Sequence, residues 1–155
     1  MATYSRRVCG AVLVLAVPVI TGCGVVGAPT AYCTPGDPVI TPVAVPPGGD
    51  LQVAIPGRTE NPECEARMPE RARYEVLVTS NILDKSQKMW HFQASLGLLD
   101  PGADGAAEGT VRLPDDVPVG DAEVSVRLQG APTICDLDPH VSCAKNPFAP
   151  IEVTG

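Results

Sequence analysis

The chain has 155 residues, enough for one ordinary domain. Its 17 prolines and 15 glycines argue for many turns and against long helices, and aromatics at 4% leave a core of Val, Leu, Ile and Ala. A formal charge of −7 argues against nucleic acid as a partner and against adhesion to an anionic membrane through a basic patch.

In chain order, the first feature is "MATYSRRVCGAVLVLAVPVITGC". Arg6 and Arg7 precede an apolar run from Val8 to Ile20, and Thr21-Gly22-Cys23 follows. The run is too short to span about 30 Å of hydrocarbon, which takes about 20 residues. A charged start, an apolar middle and small residues before a cut are the parts of a secretory signal. From Gly24 to Asp37 the sequence is small, Pro-rich and nearly uncharged, as in a tether.

Period-two segments come next, separated by Pro, Gly and Asp. The predicted strands are 39–45, 51–55, 73–80, 89–99, 109–114, 121–129 and 150–155. In the third, Tyr74, Val76 and Val78 alternate with Arg73, Glu75 and Thr79. In the fourth, Trp90, Phe92, Ala94, Leu96 and Leu98 form the expected inward set, against Met89, His91, Gln93 and Ser95. Asp104-Gly105 reads as a hairpin turn, and 111–124 as a tight crossing. Half-buried strands need a second layer, and with no helical period available that layer must be another sheet. The expected fold is all-β, an antiparallel two-sheet sandwich of immunoglobulin-like kind with about seven strands. No internal repeat is visible, so one domain is expected over 38–155.

Ile20-Thr21-Gly22-Cys23 resembles the lipobox of bacterial lipoproteins. The resemblance covers the first 23 residues and implies a signal peptide over 1–22, diacylglyceryl transfer to Cys23 and a lipidated tether over 23–37. Several acyl chains hold a protein stably at a bilayer, where one does not. Loss of 1–22 removes Arg6 and Arg7, leaving 9 basic against 18 acidic residues. The Ala/Gly/Pro/Val/Arg/Asp bias looks like that of small actinobacterial lipoproteins, which implies the extracytoplasmic face of the cell membrane. "PVAVPPGGDLQVAI" resembles the opening strands of bacterial surface immunoglobulin-like domains over some fourteen residues. The Trp-on-disulfide core of antibody domains is not reproduced, because Trp90 lies on a different strand from any cysteine.

With Cys9 in the signal and Cys23 lipidated, Cys33, Cys64, Cys135 and Cys143 remain, and an oxidising compartment allows three pairings. The preferred one joins Cys33 to Cys64, pinning the end of the tether, and Cys135 to Cys143, closing "CDLDPHVSC". No CxxC motif or paired Cys/His spacing suggests a metal or redox centre.

Little in the chain suggests chemistry. His91 reads as an exposed strand residue. His140, beside Asp136 and Asp138, could ligate a divalent ion but also fits a solvated turn. Asp100, Asp104 and Glu108 surround glycines without the spacing of an EF-hand. There is no GxSxG elbow and no phosphate-cradling loop. The expected function is therefore a lipid-anchored, non-catalytic extracytoplasmic binding or structural module. It would contact a protein or a cell-wall glycan through its long end loops, 57–70 and 131–148, with no cofactor and no nucleic acid. The alternatives are an accessory subunit of a membrane or cell-wall complex, and a small metal- or ligand-binding protein using the 135–143 loop.

Overall fold

The computed structural model describes residues 29–58, 63–83, 89–138, 140 and 146–155. The lipobox, Cys23 and Cys143 lie outside them. Eight strands form two sheets: β1 (Val39–Thr41), β2 (Ala44–Val45), β3 (Asp50–Ile55), β4 (Arg73–Leu83), β5 (Met89–Leu99), β6 (Ala107–Arg112), β7 (Gly120–Gln129) and β8 (Phe148–Val153). Among the described residues the one helix, α1 (Ile134–Leu137), is a single turn. Among the described residues no helix is long and apolar enough to cross a membrane.

One sheet has the order β1-β3-β6 and the other β2-β8-β7-β4-β5. Their inner faces share one core. Leu51, Val53 and Ile55 meet Tyr74, Val76, Val78, Val124, Val126 and Val153 across the layers, and these are the alternating positions that the sequence points inward. The all-β, two-sheet expectation therefore stands.

The details depart from it in three places. The segment expected as one strand over 39–45 is two: β1 pairs antiparallel with β3, and β2 pairs parallel with β8 in the other sheet. Pro42, which has no N–H to donate to a ladder, sits at the break. The pairing is thus not antiparallel throughout. The turn that follows has Pro47 and then Gly48 at φ +70°, with Gly49 N–H donating to the Pro46 carbonyl, the residue choice of a type II turn.

Second, Asp104-Gly105 does not close a hairpin. β5 and β6 belong to different sheets, so 100–106 crosses between layers, as 113–119 does between β6 and β7.

Third, the inward set of β5 is broken. Val76 faces Gly97 whereas Leu77 faces Ser95, so one extra residue is inserted at Leu96. Gly97, at φ 136°, takes up this bulge. The phase of the strand flips there, turning Leu98 out and Leu99 in. Trp90 keeps the inward phase but is 62% exposed: its pair with Ile82 lies past Ser80, where the pairing of β7 with β4 stops, whereas Phe92, Ala94 and Leu96 of the same strand pack against the core.

The strand registers put the incoming segment 29–38 at the same end as the β3–β4 and β7–β8 connections. Tyr32 bridges both, pairing with Glu65 on one side and Thr133 on the other. Its N–H donates to the Pro132 carbonyl at 2.8 Å, and Glu65 N–H donates to the Ala31 carbonyl at 2.8 Å. A small second core of Met68, Ala72 and Ala131 lies here, with Tyr32 and Leu128 against it.

Candidate functional site

The outer face of the five-stranded sheet carries the most structured polar surface. Opposite residues of a strand pair share a face, so register defines its rows. Thr79 of β4 lies between Gln93 of β5 and Glu123 of β7, and Asn81 lies opposite His91. Ser125 of β7 faces Phe148 of β8. Thr79, Asn81, His91, Gln93, Glu123 and Phe148 line a shallow depression of about 320 Å³. A neighbouring one of about 340 Å³ shares Thr79, Asn81 and Glu123 and runs on to Asp121 and Pro150.

His91 Nδ1 lies 3.0 Å from Asn81 Oδ1. With that oxygen as acceptor, Nδ1 is the donor, and Nε2 is the ring's remaining hydrogen-bonding nitrogen. Phe148 adds a 40% exposed aromatic surface. The lining therefore offers hydroxyl, amide, imidazole and carboxylate groups beside one ring. Such a set can hydrogen-bond and stack on a polar ligand.

One row along, an ionic cluster stiffens the same face. Arg127 and Gln129 both donate to Glu75 Oε2, the latter at 2.7 Å. The Arg127 hydrogen bond and charge, with help from Ser95 and Gln129, hold the Glu75 carboxyl below its usual range against a smaller opposing effect of desolvation.

The structure joins Cys33 to Cys64, as the sequence suggests, with Cα atoms 5.0 Å apart. Cys135 is disulfide-bonded too. The "DLDPH" groups are engaged locally. Asp136 Oδ2 accepts from the N–H and hydroxyl of Thr133, capping α1, and Asp138 Oδ1 accepts from the His140 N–H at 2.8 Å. Asp100 pairs with Arg73, and Asp104 Oδ1 accepts from the Ala106 N–H. Among the described residues no three His, Cys, Asp or Glu side chains converge as metal ligands. Glu108 lies exposed on β6.

The end loops are tied to the incoming segment. Arg58 donates to the carbonyls of Thr34 and Pro35 at 3.0 and 2.8 Å, and Arg71 to that of Gly130 at 3.2 Å.

Sequence reasoning identified His91 as exposed but missed that it belongs to a composite face. The available signal was the outward parity of Thr79, Asn81, His91, Gln93, Glu123 and Ser125. What the sequence lacked was which strands lie side by side.

No protein-family model matches the chain, and no curated protein matches it. Among solved structures it is similar to Pseudomonas fluorescens alkylpurine DNA glycosylase AlkC bound to DNA containing an abasic site analog. The TM-score is 0.45 and the identity 13%, over 81% of this chain and 31% of that one. The chain thus spans about a third of that protein's length, and no activity is carried across. That structure is of a DNA-bound protein, and the expectation of no nucleic-acid partner is withdrawn. Net charge was its main ground. Phosphate contacts are made by local groups, so a whole-chain sum is no basis for exclusion.

Proposed function

We propose that the chain is a lipid-anchored, non-catalytic binding module of immunoglobulin-like sandwich fold on the extracytoplasmic face of the cell membrane. We propose further that it holds a polyhydroxylated ligand, a cell-wall glycan, on the outer face of its five-stranded sheet. The single observation carrying this reading is the row of side chains around the depression: Asn81, Gln93, Thr79, His91 and Glu123 beside Phe148. Neighbouring sugar hydroxyls suit paired amide and carboxylate acceptors and donors, and a sugar's C–H face suits an aromatic ring.

Topology supports the fold assignment. The first strand splits between layers, and the orders β1-β3-β6 and β8-β7-β4-β5 follow the immunoglobulin pattern A-B-E and G-F-C-C′. The Cys33–Cys64 bond and the pinned Ala31–Tyr32 pair support the anchor's geometry. The stretch from Gly24 to Thr30, fully extended, would reach at most about 25 Å. On this reading the end carrying both long loops would face the bilayer. The contact surface then moves from those loops, whose polar groups hold the incoming segment, to the lateral face.

Two measurements test this. Intact mass of the membrane-extracted protein should show a chain starting at Cys23 and carrying diacylglycerol. Titration of that protein with soluble peptidoglycan fragments should show saturable binding, weakened about tenfold by Glu123→Ala or Asn81→Ala, a loss of about 1.4 kcal/mol. A free thiol at Cys23, or binding unchanged in both variants, overturns the corresponding half.

A further inference from the structure

A sheet edge exposes unpaired backbone N–H and C=O groups, and proteins blunt such edges with short strands, charges or proline. Among the described residues, three of the four sheet edges are managed in that way. β1 has three residues and β2 two, while β6 carries Glu108 and Arg112. The fourth edge, β5, has eleven residues, "MWHFQASLGLL", with no charge and no proline. Among the described residues no strand pairs with its outer side. Met89 is 67% exposed and Trp90 62%. From Met89 to Ser95 the strand is regular, and only beyond Ser95 does the Gly97 bulge interrupt it.

From this edge we infer that two copies of the chain associate by antiparallel pairing of β5 with β5, about a two-fold axis through Phe92. Charge selects a second copy as the occupant. The chain is net acidic, so contact between identical molecules needs a strip with no like charges to oppose, and β5 is the one long edge that offers it. Geometry selects the register. In an antiparallel pair, opposite residues share a face, so a two-fold must pass through a residue. Centring on Phe92 uses the whole bulge-free run. Phe92 then faces its own copy, Trp90 faces Ala94, His91 faces Gln93 and Met89 faces Ser95. The exposed Trp90 is covered, and the two sheets merge into one of ten strands. The bulge stops the pairing at Ser95, which fixes its length at seven residues.

This inference does not depend on the glycan reading. Its test uses the full lipidated chain in detergent and in cells. Sedimentation should show a concentration-dependent dimer, and Gln93→Lys or Ser95→Lys, both at exposed positions, should weaken it at least about tenfold, because each places a charge on a paired edge. Phe92→Cys should yield a self-linked dimer on mild oxidation in cells, and Glu108→Cys on the β6 edge should not. Should Phe92→Cys fail to fold, the two lysine variants decide alone. A wild-type chain that stays monomeric, a dimer indifferent to both lysines, or equal crosslinking through Glu108→Cys overturns the inference.

Discussion

The hydroxyl of Tyr74 donates to the carbonyl of Gly105 across 2.9 Å in the buried interior. One end of β4 is thereby fastened to the crossing that carries the chain from one layer to the other. Tyr74→Phe keeps the ring in place but leaves a buried carbonyl without its donor. A loss of about 1–2 kcal/mol is expected in denaturant unfolding.

Burial raises the pKa of that hydroxyl above its ordinary value, with Arg58 opposing and Asp104 adding. The unfolded chain, with an ordinary phenol near pH 10, loses its proton first. The stabilisation is therefore complete below about pH 10 and is lost as pH rises through the folded value. Unfolding followed from pH 8 to 11 should show this decline, and Tyr74→Phe should flatten it.

Glu75 predicts the opposite slope. Its carboxyl is held low by Arg127, so the folded state keeps its charge when the unfolded one has begun to protonate. That stabilisation is present above about pH 4.5 and is lost as pH falls through the lower folded value. Glu75→Gln should remove this acid slope and cost about 1 kcal/mol at neutral pH. Unfolding curves between pH 3 and 7 measure both.

The Cys33–Cys64 bond spans a sequence separation of 31 residues. Closing such a loop in the unfolded chain amounts to about 3–4 kcal/mol. Cys33→Ala with Cys64→Ala should lose an amount of that order. It should also open the Tyr32 bridges first, seen as faster amide exchange at position 33 and at Glu65 than in β4.

Gly130 sits at φ 75°, and a Cβ there would meet the Arg71 carbonyl oxygen. Gly130→Ala therefore has both backbone strain and a backbone clash. About 1–3 kcal/mol of destabilisation is expected, in contrast to Gly102→Ala, whose site has a φ outside the left-handed region and looser neighbours.

Strand existence was legible because alternation is local: Tyr74, Val76 and Val78 announce their face without reference to any other strand. Pairing is not local. Nothing in 39–45 says that Val39–Thr41 joins β3 while Ala44–Val45 joins β8, beyond the presence of Pro42. The inward reading of Leu98 failed because one inserted residue reverses parity, and a lone glycine in a strand is a weak sign of that. Trp90 was misread for another reason. Its phase was right, but whether an inward residue is covered depends on how far the neighbouring strands run, and β7 stops pairing with β4 at Ser80, short of the Ile82–Trp90 pair. The polar depression needed four strands to be ordered correctly before its residues could be seen as neighbours. The Cys33–Cys64 pair, in contrast, could be chosen from sequence, because joining Cys135 to Cys143 closes a short loop and leaves Cys33 and Cys64 for each other.

The covalent link between Cys33 and Cys64 has a mechanical corollary. Tension applied to the chain ahead of Cys33 divides there, one route running through 34–38 to β1 and another through the disulfide and 65–72 to β4. These strands belong to different sheets, so pulling loads both layers together and does not peel one edge strand away by itself.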